Sequence, residues 1–196
     1  GWVGYFSYDT VRYVEAKLAN TVNGDTLNTP DILLMLAEEV VVFDNLRGTL
    51  TLIVSADTSQ EDAFGSANRR LLELESRLSE PMPPLTSFEL GATDTADIES
   101  RVTFETDQTT FESWVARIKD YILDGDVMQV VVSQRMTLPF HAEPLNLYRA
   151  LRHLNPSPYL FYLDLDDFHV VGSSPEILVR AERGQITVRP LAGTLR

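Results

Sequence analysis

Short apolar, aromatic and β-branched runs separated by polar turns mark the first 54 residues, and such runs predict strands. An apolar, aromatic run over residues 1–8 predicts the first strand, and a short helix is predicted at 9–13. Residues 32–37 and 39–43 are rich in β-branched and apolar side chains, and a matching run at 49–54 follows a polar turn. The last two of these runs therefore predict a β-hairpin.

Three longer stretches repeat their apolar residues every three or four positions, as one buried face of a helix does. The first, with Ser59 as its predicted N-cap, has the apolar residues Phe64, Ala67, Leu71, Leu74 and Leu78. The second, with Asp107 or Thr106 as its N-cap and Gly125 after its end, has Phe111, Trp114, Val115, Ile118, Tyr121 and Ile122. The third begins at Pro144 and has Leu147, Tyr148, Leu151 and Leu154. We therefore expect three amphipathic helices.

A valine-rich run between the second and third helices predicts a strand over residues 127–135. Three consecutive valines indicate that neighbouring elements cover both faces of this strand. Gln129, Ser133 and Arg135 fall on one face, because alternate residues of a strand point the same way. Polar side chains on a buried strand either form hydrogen bonds in the core or line a pocket, and both interpretations stay open here.

The C-terminal part of the pattern is a series of short strands and turns. Strands are predicted at 159–165, 168–172, 177–180 and 186–189. A stretch rich in proline, threonine and acidic residues at 81–100 predicts a linker or domain boundary. A helix–strand–helix unit followed by an antiparallel meander indicates the α+β class.

The chain is strongly acidic, and its positive charge is concentrated in the second half. It has 16 Lys+Arg against 29 Asp+Glu, a formal net charge of -13. Residues 101–196 hold 10 basic and 12 acidic residues, whereas the first hundred hold 6 and 17. A net charge of this sign argues against a general nucleic-acid or anionic-membrane surface, but it is compatible with a local basic pocket for an acidic metabolite.

The absence of cysteine excludes a disulfide framework and cysteine-bound zinc. No apolar run of about 18 residues predicts a membrane span, and the N-terminus does not have the pattern of a signal peptide. The chain begins inside a strand-like run without an initiator methionine and stops just after a small-residue turn. We therefore expect a fragment, lacking both ends, of a longer cytoplasmic protein.

Four separated motifs occur in order along the second half of the chain. They are Gly125-Asp126-Val127-Met128-Gln129-Val130-Val131-Val132-Ser133-Gln134-Arg135, Asn155-Pro156-Ser157-Pro158-Tyr159, Ser174-Pro175-Glu176 and Arg189-Pro190-Leu191-Ala192-Gly193-Thr194. Together with the opening Gly4-Tyr5-Phe6-Ser7-Tyr8-Asp9-Thr10-Val11-Arg12, they resemble the chorismate-utilising enzymes, most closely the anthranilate synthase component I family. The resemblance extends over essentially the whole chain, and no single motif carries it alone.

The resemblance implies a fold of antiparallel β-sheets packed as a sandwich with flanking helices, of which this chain is an incomplete part. It implies that residues 1–80 are part of an N-terminal regulatory domain. Residues 81–100 would be the linker, and residues 101–196 would be the first half of the chorismate-binding domain. Hairpins and three helices are compatible with this fold but do not specify its topology.

Enzymes of this family convert chorismate and ammonia to anthranilate and pyruvate in tryptophan biosynthesis. The resemblance implies Mg²⁺ as the cofactor, a glutamine amidotransferase subunit (component II) as the source of ammonia, and L-tryptophan as the feedback inhibitor. It also implies that the magnesium ligands and a catalytic histidine lie beyond Arg196, so we predict no metal ligand within this chain and expect the fragment alone to be inactive. His141, His153 and His169 match no motif.

Three positions separate the anthranilate synthases from their relatives, and two of them are predicted catalytic residues. Gln129 stands where the water-using relatives have a lysine base, and ammonia, unlike water, already has a free lone pair. Ala192 stands where the aminodeoxychorismate synthases have a nucleophilic lysine, and alanine cannot form that covalent intermediate. Glu176 matches the acid that protonates the departing C4 hydroxyl group of chorismate.

Two further sets of residues match binding sites of the family. The small-residue turn matches the segment that contacts chorismate, through Ala192, Gly193 and Thr194. The residues that match the tryptophan (inhibitor) loop are Asn155, Pro158, Tyr159 and Leu160. Leu160 stands where methionine is common, a change between apolar side chains of similar volume.

Simpler interpretations remain for each of these positions. Glu176 is also compatible with a surface acid before a strand, Gln129 with a hydrogen-bonded core amide, and Tyr159 with a core aromatic residue. At the level of function, the alternatives are an aminodeoxychorismate synthase that has lost its lysine, and a non-catalytic tryptophan-binding or subunit-docking module. The product formed from chorismate separates the two enzymes, whereas tryptophan binding without any turnover would favour the module.

Overall fold

A computed structural model describes residues 1–21, 24–85, 87 and 95–189. The chain forms two compact units, Gly1–Leu85 and Thr86–Arg196. Within the described ranges there are five α-helices and five two-stranded antiparallel sheets. The predicted α+β class with antiparallel sheets is therefore confirmed, whereas the proposed domain limits at residues 80 and 100 stay a prediction.

The first unit contains two strand pairs and a long helix. Its elements are β1 (Trp2–Phe6), α1 (Val11–Val14), β2 (Ile32–Leu36), β3 (Glu39–Asp44), β4 (Thr49–Val54) and α2 (Ala63–Leu78). Strand β1 pairs with β2, and β3 pairs with β4 as the predicted hairpin. Gly4 lies opposite Leu34, and a Cβ atom at Gly4 would stand 1.9 Å from the carbonyl oxygen of Leu33. Glycine is required here because the two backbones approach so closely.

Helix α2 is fixed to β3 by the guanidinium group of Arg70. Its Nε and Nη2 atoms donate to the two carboxylate oxygens of Glu39, at 2.5 and 3.0 Å. Its Nη1 atom donates to Glu73 on the same helix at 2.8 Å. Hydrogen bonding from Arg70 lowers the pKa of Glu39, because it favours the charged carboxylate.

The start of α2 differs from the prediction. The N-cap is Asp62, and the helix begins at Ala63, not after Ser59. The hydroxyl group and the N–H of Ser59 both donate to Asp57 Oδ1, at 2.7 and 3.0 Å. Ser59 is therefore held in a local turn centred on Asp57, and this turn competes with helix capping, as short polar side chains often do.

The second unit contains three strand pairs and three helices within its described part. Its elements are α3 (Thr95–Arg101), β5 (Thr103–Phe104), α4 (Gln108–Leu123), β6 (Met136–Thr137), α5 (Pro144–Leu154), β7 (Tyr159–Asp164), β8 (His169–Ser174), β9 (Val179–Glu182) and β10 (Gln185–Val188). The predicted ends of α4 are confirmed: Asp107 accepts a hydrogen bond from Thr110 N at 2.9 Å, and Gly125 follows with φ +82°. Helix α3 was not predicted, because it lies in the stretch read as linker.

The strand predicted at 127–135 is wrong. The described backbone has no regular secondary structure there, and β6 begins only at Met136, where it pairs with β5. A strand persists only where neighbouring backbones take its N–H and C=O groups, and no described strand pairs with residues 127–132. Gln129 and Ser133 of the proposed polar face are exposed, and Arg135 makes an ion pair with Glu105.

Helix α5 packs on the β7–β8 hairpin, which matches the predicted pair of strands. The ring of Tyr148 on α5 meets the ring of Tyr162 on β7 edge to face, with 6.2 Å between centroids. Tyr162 also contacts the ring of His169 on β8, at 5.5 Å. Strand β9 pairs with β10, but no ladder joins β8 to β9 in the described part, so the predicted meander is two separate hairpins.

No described residue is fully buried, and many apolar side chains face solvent. The three predicted amphipathic helices are present, yet Phe64 at the start of α2 is 84% exposed and Leu154 at the end of α5 is 71% exposed. Ala67 and Leu71, in the middle of α2, are half-buried. In α2 and α5, the apolar residues at these helix ends are thus more open to solvent than Ala67 and Leu71.

Candidate functional site

Glu176, the predicted catalytic acid, lies in the short segment between β8 and β9. Its side chain is half-buried, with 33% exposed. The preceding strand ends at Ser174, whose hydroxyl group donates to the carbonyl oxygen of Glu176 at 3.1 Å. Pro175 stands between the two and has no N–H to extend the ladder, so the chain turns away from β8 here. The Glu176 side chain is thereby presented outside the regular sheet.

The carboxylate of Glu176 has a cationic partner across the β9–β10 hairpin. Arg189 Nη1 donates to Glu176 Oε1 at 3.0 Å. The backbone N–H of Arg189 donates to the carbonyl oxygen of Leu178 at 2.9 Å, which extends the pairing of the hairpin by one residue. Backbone pairing therefore holds Arg189 opposite the segment that contains Glu176.

The loop that leads from α5 into β7 is tied to the same end of β8. Ser157 Oγ donates to the carbonyl oxygen of Ser174, and Ser173 Oγ donates to the carbonyl oxygen of Asn155 at 2.9 Å. These two bonds join segments 17 and 18 residues apart along the chain. The predicted inhibitor loop and the segment of the predicted catalytic acid thus form one hydrogen-bonded unit.

The four predicted tryptophan-loop residues lie close together in this unit. Asn155 is the C-cap of α5, and its N–H donates to Leu151 O at 2.8 Å. Tyr159 begins β7 opposite Ser174, and its side chain is 42% exposed, so it is not a core aromatic residue in the described chain. Leu160, which is half-buried, follows opposite Ser173, and Pro158 is exposed.

The other predicted site residues are not brought together with Glu176 in the described part of the chain. Gln129 is exposed in the irregular segment before β6, so it is not a core amide, and no hydrogen bond or ion pair among the described residues joins it to Glu176. Ala192, Gly193 and Thr194 lie outside the described residues. Their assignment to chorismate stays a prediction.

The described residues offer no ready metal site. No group of three or more His, Cys, Asp or Glu side chains among them could hold a metal ion. The Mg²⁺ implied by the resemblance therefore has no ligands assigned within this part of the chain. In the first unit, an open cleft of about 500 Å³ lies between the end of β4 and the start of α2, and no predicted site residue lines it.

Sequence reasoning missed Arg189 and the three serines as members of this site. Arg189 is part of the Arg-Pro-Leu-Ala-Gly-Thr motif, but nothing in the spacing shows that it pairs with Glu176. No role was predicted for Ser157, Ser173 or Ser174. The register of β7 with β8 places Tyr159 opposite Ser174, and this pairing is the signal that could have identified the serines.

The family model described as chorismate binding enzyme matches residues 1–196. This chain belongs to that family. Among curated members, the chain is similar to anthranilate synthase component 1 of Pseudomonas aeruginosa, with 54% identity over 194 residues. It is 51% identical over 198 residues to the protein of the same name from Neisseria meningitidis serogroup B, and 42% identical over 196 residues to that from Aquifex aeolicus.

A solved structure in the family supports the same assignment. The chain is similar to anthranilate synthase component I from Streptococcus pneumoniae, with a TM-score of 0.79 and 28% sequence identity. That match covers 95% of this chain and 41% of the other. Against the curated relatives from Pseudomonas and Neisseria, 99% of this chain is covered but only 39% of each relative. The chain therefore spans about two fifths of the length of the family members it matches.

In the described part of the chain, no helix combines the length and the apolar character needed to cross a membrane. The longest helices there, α2 and α4, have 16 residues each.

Proposed function

We propose that this chain is part of an anthranilate synthase component I, which converts chorismate and ammonia to anthranilate and pyruvate. The observation that carries the proposal is the similarity of 99% of the chain to proteins of that name, at up to 54% identity among those described above. The full-length protein, meaning a polypeptide that extends this chain to the length of those relatives, would be the active lyase.

Two residues of the chain favour direct use of ammonia. Gln129 has no basic group with which to deprotonate water, whereas ammonia needs no deprotonation before it attacks. Ala192 cannot serve as the amine nucleophile that a lysine there would be. Gln129 would orient ammonia towards C2 of the chorismate ring, and the turn through Gly193 and Thr194 would offer donors to the oxygens of chorismate.

Glu176 would act as the general acid. As the lone pair of ammonia forms the bond at C2, the ring double bonds shift and the C4–oxygen bond breaks with its electron pair on oxygen. The proton of Glu176 passes to that oxygen, and water leaves. The added nitrogen then loses a proton. Loss of the proton on C2, with the C3–oxygen bond breaking and its electron pair going to oxygen, makes the ring aromatic. The released enolpyruvate takes up a proton at its methylene carbon and becomes pyruvate. General acid help of this kind contributes about 10²–10⁴ in rate.

The remaining assignments come from the family resemblance. Mg²⁺ would be the cofactor, held by residues outside the described part, and would supply Lewis-acid stabilisation of oxyanions. A glutamine amidotransferase subunit would deliver ammonia. L-Tryptophan would inhibit by binding at Asn155, Pro158, Tyr159 and Leu160. We also infer a cytoplasmic location, and no nucleic acid or membrane as a partner, from the charge and composition of the chain.

The test is an assay of the full-length protein with chorismate, Mg²⁺ and an ammonium salt, followed by anthranilate fluorescence. We expect anthranilate from ammonium alone, and from glutamine only when the amidotransferase subunit is added. The 196-residue chain on its own should form no product. Formation of aminodeoxychorismate or isochorismate by the full-length protein would overturn the proposal. Tryptophan binding without turnover would instead indicate a non-catalytic module.

A further inference from the structure

Arg189 lies between two segments that the proposed function uses. Its guanidinium group contacts the carboxylate of Glu176 at 3.0 Å, and its backbone is held against Leu178 at 2.9 Å. In the sequence it precedes Ala192 by three residues. The side chain of Arg189 is 61% exposed and is not locked in a core. It is therefore able to move from one partner to another.

The pairing has a chemical consequence for the proposed acid. Arg189 Nη1 donates to Glu176 Oε1, one of the two oxygens with which the proposed acid would reach the departing hydroxyl group. The pairing therefore competes with the proposed role of Glu176. Chorismate has two carboxylate groups, and each is a suitable bidentate partner for an arginine.

We propose that Arg189 is a positioning residue that exchanges Glu176 for a carboxylate of the substrate. This inference rests on the proposed function. Before the substrate binds, Arg189 holds the side chain of Glu176 in place at the turn after β8. When a dicarboxylate substrate binds, the guanidinium group transfers to one substrate carboxylate. The carboxyl group of Glu176, released from Arg189, then faces the departing oxygen.

The exchange predicts how substrate binding responds to substitutions, and binding can be measured without turnover by leaving out ammonia and glutamine. Calorimetry of the full-length protein with chorismate and Mg²⁺ gives the Kd. In Arg189→Gln we expect chorismate to bind about ten- to a hundredfold more weakly, the usual effect of losing a hydrogen bond to a charged group. Arg189→Lys keeps the positive charge but loses the planar guanidinium group that can donate two parallel hydrogen bonds. It should therefore bind chorismate more tightly than Arg189→Gln and more weakly than the wild type.

Arg180 offers a matched control on the same hairpin. It is exposed and pairs with Glu182 at 2.6 Å, as Arg189 pairs with Glu176. Arg180→Gln removes one surface ion pair of the same kind, so we expect unchanged chorismate affinity and turnover. An equal loss of affinity in Arg180→Gln and Arg189→Gln would assign the effect to the hairpin as a whole and overturn the inference.

The Kd for chorismate of Glu176→Gln distinguishes the proposed exchange from a purely structural ion pair, whose loss would not tighten chorismate binding. Removal of the competing carboxylate leaves Arg189 free for the substrate, so chorismate should bind up to about fivefold more tightly, although turnover is lost. Arg189→Gln combined with Glu176→Gln should abolish this gain. Weaker or equal binding in Glu176→Gln would overturn the exchange, and this variant decides the matter even if Arg189→Gln does not fold.

Different results would overturn the proposed function and the proposed role of Arg189. If the wild-type full-length protein makes no anthranilate from chorismate and ammonium, the proposed function is wrong. If it makes anthranilate but Arg189→Gln keeps wild-type chorismate Kd, KM and kcat, only the role of Arg189 is wrong.

Discussion

Replacing Gly4 by alanine tests how closely β1 and β2 are joined. An alanine Cβ atom would stand 1.9 Å from the carbonyl oxygen of Leu33, and 2.9 Å from Leu33 C and Leu34 Cα. All three obstacles are backbone atoms, so no side-chain rotation can relieve the clash. The Cβ–oxygen contact falls about 1.5 Å short of an ordinary van der Waals contact, which begins near 3.4 Å. The two strands must therefore move apart.

The expected cost exceeds what strand propensity would suggest. At an unobstructed position, alanine stabilises a protein relative to glycine by about 0.4–1 kcal/mol. Overpacking against fixed atoms costs about 1–3 kcal/mol, and moving β1 away also stretches the hydrogen bonds beside Gly4. We expect Gly4→Ala to destabilise the β1–β2 pair by about 2 kcal/mol. The equilibrium constant for opening, and with it the exchange rate of the backbone amides, should then rise roughly thirtyfold.

Hydrogen exchange measured by mass spectrometry on peptides covering residues 1–8 and 31–37 of the full-length protein reports this opening directly. Gly24→Ala is the matched control, since it makes the same chemical change and, apart from its chain neighbours, no atom of the described residues lies within 4 Å of the new Cβ atom. We expect Gly24→Ala to leave the exchange of β1 and β2 unchanged. If both variants show the same protection in these strands, the close approach at Gly4 is refuted.

Two further predictions concern an ion pair and the inhibitor loop. Because Arg70 lowers the pKa of Glu39, the pair stabilises the fold above the unfolded pKa near 4.5, and this stability is lost as the pH falls through the lowered folded pKa. Glu39→Gln should therefore destabilise α2 more at pH 7 than at pH 3, measured by amide exchange over 63–78, and an equal effect at both pH values would contradict this. Ser157→Ala removes a hydrogen bond between the loop and β8, so in the full-length protein the inhibition constant for tryptophan and the KM for chorismate should both rise about two- to tenfold. Ser113→Ala, on the exposed side of α4, should change neither, and an unchanged Ser157→Ala would show that the loop and the Glu176 segment act separately.

Local sequence patterns predicted most of the elements. The hairpin at β3 and β4 was predictable because two β-branched runs flank a polar turn, and the pairing of Glu39 with Val54 follows from that symmetry. The ends of α4 were predictable because Asp107 and Gly125 are strong capping residues. In both cases the deciding interactions lie within a few residues along the chain.

Two of the missed features depend on partners distant in the sequence, and the third depends on a local competition. The run at 127–135 has the composition of a strand, but composition does not supply the neighbouring backbone that a strand requires. Ser59 is a good N-cap residue, yet its hydroxyl group donates a hydrogen bond to Asp57, two positions earlier. Within the site, the family motifs identified Glu176, whereas its contact with Arg189 depends on how β9 and β10 pair. No pattern of residue types specifies such a contact.

The open apolar surface of the described residues has a thermodynamic consequence. Both the heat capacity of unfolding and its dependence on denaturant scale with the surface that folding removes from water. An ordinary globular chain of this length would show a heat-capacity change of roughly 2.4–2.9 kcal/mol/K, at the usual value per residue. Since none of the described residues is fully buried, the isolated 196-residue chain should show a smaller change and a shallow, poorly cooperative transition. The heat-capacity change measured by calorimetry would then report how much apolar surface the isolated chain leaves in contact with water.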